Sequence, residues 1–393
     1  MIFYHNLGGM TVEGELEQIR AELDRIDKEL VELFRARMEL SGRAAEYKRD
    51  HNLPVLAAGR ERELLSRVSG QAGDELAGYA QMLYQTLLAV SRAHQHAKIE
   101  AGSSMYDILR RTLEDTAPLF PPRAVTACQG IEGAYSQIVC DKLFKAPDIR
   151  FYPTFAGVFQ AVERGECRYG ILPIENSTAG SVKGVYDLMD QYNFSIVRSA
   201  RMKISHNLLS LPGTTLEDVK EVLSHEQAIS QCAGYLARRG VKATVAANTA
   251  LAARMVRESG RHDLAALSSR LCAEHYGLSI LAENVQDQDS NYTRFICISK
   301  QPEIYPGADR TSLMLTLPHR PGSLYNVMSI FAALGINLIK LESRPLPGRE
   351  FEFMFYFDLE ESVYAPELER MFLELEAGTE RLRWLGTYSE VMC

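Results

Sequence analysis

The sequence predicts a multidomain chain of α, then α/β, then α+β character, and three observations carry that reading. A seam of apolar residues in steps of three and four runs from Leu16 to Leu33, inside a stretch from Val12 to Arg49 that contains no proline. From Arg123 to about Lys300, short β-branched runs alternate with amphipathic stretches. From Arg310 onward the order is β-α-β-β-α-β. A length of 393 residues suits two to four domains.

Bulk properties exclude several partner classes. A formal net charge of -8 gives no basic face for nucleic acid or an anionic membrane. The seven cysteines are scattered without CxxC spacing, the usage of a reducing compartment, and suggest no zinc site. No basic region followed by an apolar stretch opens the chain, and no apolar run has the length of a membrane span. The expectation is a cytoplasmic protein with no metal.

In the first region, Leu16, Ile19, Leu23, Ile26, Leu30 and Leu33 form the seam. A helix from Val12 to Arg49 would span roughly 50 Å at about 1.5 Å per residue and needs partners, either other helices or a second subunit. Arg37 and Lys48 fall in the middle of the apolar arc, and Arg20 lies on its edge. Cations snorkel singly from such seams, but two in one stripe repel unless an anion joins them. A dianionic ligand in a helical pocket resolves the conflict. Arg60 and Glu61 open a short second helix, and the third, Asp74 to about Lys98, sets Ser91 and Gln95 one turn apart.

The series Arg20, Asp27, Arg37, Lys48, Arg60-Glu61, Ser91 and Gln95 resembles the all-helical chorismate mutase family, over residues 12–100. The resemblance implies helices of two subunits interlocking around shared sites. Arg20 from the partner would clamp the substrate carboxylates with Arg37. Lys48 and Gln95 would donate to the ether oxygen, Glu61 would hold the ring hydroxyl, and Arg60 and Ser91 would complete the polar lining. Rearrangement of chorismate is intramolecular, so it calls for conformer selection and charge stabilisation, without a cofactor. Ala57 stands where relatives often carry an acidic residue, which leaves a weakened mutase as an alternative.

In the middle region a strand from Ala124 to Cys128 runs into a glycine-bearing turn, which presents backbone N–H groups to anions. Polar loops recur after later strands, where open α/β sheets bind ligands. Gly133-Ala134-Tyr135-Ser136, Pro173-Ile174-Glu175-Asn176-Ser177, Ser224-His225 with Gln231-Cys232, and Asn291-Tyr292-Thr293-Arg294-Phe295 occur in this order. Residues 123–300 thereby resemble the prephenate dehydratases, which implies a two-lobed α/β fold like the periplasmic solute-binding proteins. The resemblance makes Thr293 catalytic and has Asn176, Ser224 and Gln231 line the site. Arg294, adjoining Thr293, is assigned to substrate binding, and His225 is either a proton donor or a packed histidine.

The last region, 310–393, has the ferredoxin-like order. Gln301 to Asp309 reads as a linker. Pro321-Gly322-Ser323-Leu324 and Glu342-Ser343-Arg344-Pro345 resemble the phenylalanine-binding motifs of the ACT regulatory domain. That implies phenylalanine contacts at Gly322, Ser323, Leu324, Glu342, Ser343 and Arg344, and pairing across subunits. The whole chain therefore resembles a bifunctional chorismate mutase–prephenate dehydratase, a homodimer or tetramer inhibited by phenylalanine. A non-catalytic amino-acid sensor is the competing class, and it needs neither Thr293 nor the Arg37/Lys48 pair.

Overall fold

A computed structural model describes residues 12–99, 103–319, 321–346 and 352–393. The chain divides into two compact units, the first running to Tyr106 and adding Leu317–Ile336 and Pro366–Glu380, the second comprising the rest. Residues 310–393 are thus shared between the two. Elements are numbered in chain order.

In the first unit, α1 is a single helix, Val12–Asp50, followed by α2 (Ala58–Gln71) and α3 (Gly73–Ile99). The C-terminal half of α1 packs on α3, burying Ser41 and Ala45. Its N-terminal half leaves the predicted seam bare, with Leu23 at 53%, Leu30 at 55% and Leu33 at 67% exposure. The helices Ser323–Leu334 and Pro366–Gly378 also pack on α3. Thr86 and Tyr325 share a hydroxyl hydrogen bond of 3.0 Å, and Glu376 accepts from Ser104 Oγ at 2.6 Å and the Met105 amide at 2.9 Å.

Three sheets build the second unit. The largest runs β16 (Glu390–Met392), β5 (Ser195–Lys203), β11 (Tyr292–Ser299), β3 (Tyr169–Asn176), β1 (Val125–Gln129), β2 (Asp148–Tyr152), with the short β4 (Gly180–Ser181) off β3. The next runs β10 (Ser279–Ala282), β6 (Asn207–Ser210), β9 (Leu264–Ser268), β7 (Glu221–Ser224), β8 (Lys242–Val245). These are the two expected lobes, and the chain crosses between them twice, after β5 and before β11. Gly133 sits where the lobes meet: its φ of +87° suits glycine, and a Cβ there would lie 2.6 Å from Cys272 Sγ.

The third sheet has the ferredoxin-like order β13 (Asn337–Pro345), β14 (Phe353–Glu360), β12 (Arg310–Thr316), β15 (Arg381–Tyr388). It shares a core with the first lobe, Met314, Met354, Tyr356, Leu385 and Tyr388 packing with Ile196 and Ile296. Gly386 lies so close to the Ile196 carbonyl that no side chain fits. Two expectations need correction. Gln301 to Asp309 is no loose linker, because Ile304, Tyr305 and Ala308 are buried. The last three-residue strand, β16, leaves the third sheet and pairs in parallel with β5.

Candidate active sites

In the first unit the stripe of cations meets α3. The Arg37 guanidinium donates to Ser91 Oγ and, at 3.4 Å, to the Leu87 carbonyl. Three turns further along α1, Lys48 Nζ donates to Gln95 Oε1 at 2.9 Å and to the Val55 carbonyl at 2.6 Å. Burial pulls both cations below their ordinary pKa; Tyr84 opposes this at Arg37 and Glu61 at Lys48. Arg37, Lys48, Ser91 and Gln95 are thus brought together.

Three assignments change in detail. Ser41 Oγ donates to the Ser91 carbonyl (3.2 Å), so it accepts from Gln95 Nε2 (3.0 Å). One N–H of the Gln95 amide is therefore taken by Ser41 and its oxygen holds Lys48, while the amide nitrogen carries a second N–H. Glu61 is clamped by Arg92 at 2.7 and 2.8 Å. Arg60 points to solvent against Glu63 and joins no cluster. Arg20 is exposed on α1. Ser41 and Arg92 were missed, although Ser41 lies one turn after Arg37 and Arg92 one turn before Gln95.

In the second unit a cavity of about 340 Å³ opens between the two lobes, within the range of small-ligand pockets. It shares His225, Gln227 and Gln231 with a second cavity of about 990 Å³. Three helices, Tyr135–Leu143, Phe155–Glu163 and Thr249–Ser259, begin at its wall. Helix N-termini attract anions through free N–H groups and the helix dipole, and the first of the three has no side-chain cap. Among the described residues, the wall carries no lysine or arginine.

Thr293 and Asn176 lie opposite each other on β11 and β3 and both line the cavity. Asn176 Nδ2 donates to Thr293 Oγ1 at 2.9 Å. Gln231 reaches the same cluster from the other lobe, donating to Thr178 Oγ1 at 2.7 Å. His225 is exposed at the cavity edge, where its Nδ1 accepts from the Gln227 amide, so it is not a packed histidine.

Two predicted residues are not in the cavity wall. Ser224 is fully buried and donates to the Leu267 carbonyl at 2.7 Å. Arg294 points through the opposite face of β11, as strand alternation requires. Its guanidinium donates to Asp358, and to the Tyr388 hydroxyl at 2.6 Å, with Glu390 3.3 Å away. Asn291 and His206 were missed. Both are buried cavity-cluster residues, and Asn291 stood in plain view two positions before Thr293.

The regulatory motifs fall in different units. Gly322, at φ +85°, caps the helix Ser323–Leu334 and approaches Gln85 of α3, and the Ser323 hydroxyl is buried. On β13, Glu342 accepts from Ser181 Oγ at 2.7 Å, and Arg344 clamps Asp187 at 2.7 and 2.9 Å. Ser343, between them, faces the other way and is exposed. Lys340 joins Ser181 and Glu175, each at 2.9 Å.

Fold and sites together define a multidomain enzyme in which a helical polar cluster accompanies a two-lobed α/β cleft. The chorismate mutase type II model matches residues 19–96, and the prephenate dehydratase model matches residues 126–303. The bifunctional chorismate mutase/prephenate dehydratase of Aquifex aeolicus is 30% identical over 380 residues, 96% of this chain and 99% of that protein. The prephenate dehydratase of Arthrobacter aurescens, solved with L-Phe, is 27% identical with a TM-score of 0.62, covering 67% of this chain and 90% of its own. A structure described as a novel type of quorum quenching acylase is 35% identical with the same TM-score of 0.62, over 67% of this chain and 97% of its own. The chain belongs to the family of bifunctional chorismate mutase/prephenate dehydratases. Among the described residues, no helix is long and apolar enough to cross a membrane.

Proposed function

We propose the following division of labour for the two reactions of phenylalanine biosynthesis. The helical domain rearranges chorismate to prephenate. Arg37 anchors carboxylate and Lys48, held by Gln95, stabilises the charge that grows on the breaking ether oxygen. Arg20 reaches the site from a second copy, and the bare seam of α1 supports this. Leu23, Leu30 and Leu33 are exposed, and the helices of a second copy would cover them. Sedimentation should return at least a dimer, and a monomer would remove Arg20 from the site.

The cleft domain converts prephenate to phenylpyruvate. The ring carboxylate leaves as CO₂, its bonding electrons aromatise the ring, and the ring hydroxyl departs and takes up a proton as water. Convergence of three helix N-termini on a cavity without lysine or arginine is the observation that carries this reading, because it suits a small dicarboxylate. Thr293 donates to the departing hydroxyl. The acylase activity of the 35%-identical relative calls for an activated nucleophile. Thr293 accepts from Asn176 and Ser136 donates to the Gln129 carbonyl, so neither wall hydroxyl supports that reading here.

Phenylalanine acts through the Gly322-Ser323-Leu324 turn and the Glu342-Ser343-Arg344 strand. The Glu342–Ser181 bond supports a route to the cleft, since β4 pairs with the end of β3 that holds Asn176. Turnover of chorismate and of prephenate, each with and without phenylalanine, tests the whole assignment. Both substrates should be consumed, and Gly322→Val should blunt inhibition. Undiminished inhibition in that variant would place phenylalanine in the cleft instead.

A further inference from the structure

The hydrogen bonds around Thr293 form a circuit whose direction follows from the backbone. The amides of Thr178 and Ala179 can only donate, and both point at Asn176 Oδ1, at 3.1 and 2.9 Å. That fixes Asn176 Nδ2 as the donor end, facing Thr293 Oγ1 at 2.9 Å and Asn291 Oδ1 at 2.8 Å. Asn291 then has only its Nδ2 left, which donates to Gln231 Oε1 at 2.9 Å. Gln231 Nε2 closes the ring on Thr178 Oγ1 at 2.7 Å and Asn176 Oδ1 at 3.4 Å.

One further group meets this ring. His206 Nε2 lies 2.9 Å from Gln231 Oε1, which can only accept, so Nε2 carries the proton. The imidazole is 2% exposed, and burial lowers its pKa by disfavouring the charged form, against the smaller opposing effect of the Gln231 bond. Its Nδ1 is then a bare acceptor, without a partner among the described residues. Its backbone is pinned as well, the amide donating to Gln286 Oε1 at 3.0 Å and the carbonyl accepting from Val285 at 2.8 Å. His206 and Asn291 stand on the two segments that cross between the lobes, whereas Gln231 belongs to the second lobe.

We propose that His206 is a positioning residue for prephenate dehydration. Its Nε2–H holds Gln231 in the orientation that completes the one-way circuit, and the circuit leaves the Thr293 hydroxyl proton free to face the departing hydroxyl. Histidine serves because it donates a single N–H from a rigid ring at the depth where Gln231 must be held. The inference rests on the reading of this cavity as the dehydratase site.

The test compares His206→Leu with His206→Gln in the full-length chain, fed prephenate. Leucine removes the donor, whereas glutamine returns an N–H near the place of the imidazole Nε2. The leucine variant should lose about 10²-fold in kcat with KM little changed, as for a misplaced reacting group, and glutamine should restore most of it. Chorismate turnover and the melting temperature report on folding in the same samples. Should the leucine variant fail to fold, Asn291→Asp, which swaps the donor facing Gln231 for an acceptor in the same shape, should give the same kcat loss. Wild-type kcat in His206→Leu or Asn291→Asp, or a loss that glutamine does not restore, overturns the proposal. Retained dehydration in Thr293→Ala would instead overturn the reading of the site.

Discussion

Asn176 and Thr293 are cross-strand neighbours, paired in register between β3 and β11, and the Asn176 amide donates to the Thr293 hydroxyl at 2.9 Å. Residues directly opposite on antiparallel strands project from the same face, so both reach the cavity. An amide nitrogen cannot accept a hydrogen bond. The hydroxyl proton is thereby kept for whatever enters the cavity.

Asn176→Asp should reverse that arrangement. A carboxylate oxygen would replace the donor 2.9 Å from Thr293, and the hydroxyl would turn back to it. Dehydration should fall by about 10²–10³ in kcat, the loss typical of a removed charge-stabilising donor. Steady-state kinetics with prephenate decide the matter, and an unimpaired kcat would free Thr293 from any dependence on the polarity of Asn176.

Lys48→Met keeps an unbranched apolar stem one atom shorter while removing the donor held by Gln95. Chorismate rearrangement should drop by about 10²–10³, with dehydration of added prephenate intact. Near-normal rearrangement would remove Lys48 from the site.

Arg294 should behave as a structural cation. Buried against Asp358, Tyr388 and Glu390, it joins the strand of Thr293 to the third sheet. Breaking a buried pair by removing one partner costs about 3–5 kcal/mol. Arg294→Met should therefore lower the unfolding free energy by that order, with an unchanged KM for prephenate in the folded protein. A raised KM at normal stability would return Arg294 to the substrate.

How much of this was legible in the sequence depended on the range of the interaction. The period of α1 follows from local geometry, so Arg37 and Lys48 could be placed before any coordinates. Strand alternation, equally local, would have sent Arg294 away from Thr293 had it been applied across that pair. The direction of the Gln95 amide could not be read, because Ser41, fifty-four positions earlier, decides it. Nor could β16, three residues whose pairing with β5 spans nearly two hundred positions. The two crossings between lobes concealed His206 in the same way, since its partner Gln231 comes from a different lobe.

Glu374, on the helix Pro366–Gly378, should make stability depend on pH. Burial raises its pKa from 4.5 to about 7, with Arg92 opposing, and Oε1 has no partner among the described residues. The folded state therefore holds the proton more tightly than the unfolded state. Stability should be greatest below about pH 4.5 for this group and decline as pH rises towards 7. The full loss is on the order of 3 kcal/mol, from about 1.4 kcal/mol per pKa unit. Glu374→Gln should raise the melting temperature at pH 8 and leave it nearly unchanged at pH 4.5. Equal effects at both values would mean that Glu374 is already ionised when folded.

Two separate chemistries in one chain are the central claim, and feeding chorismate to Thr293→Ala tests it most directly. Wild-type protein should carry chorismate through prephenate to phenylpyruvate, whereas the variant should consume chorismate at the wild-type rate and accumulate prephenate, losing about 10²–10³ in the second step. Phenylpyruvate formed at the wild-type rate by this variant, or chorismate left untouched by both proteins, would contradict the account.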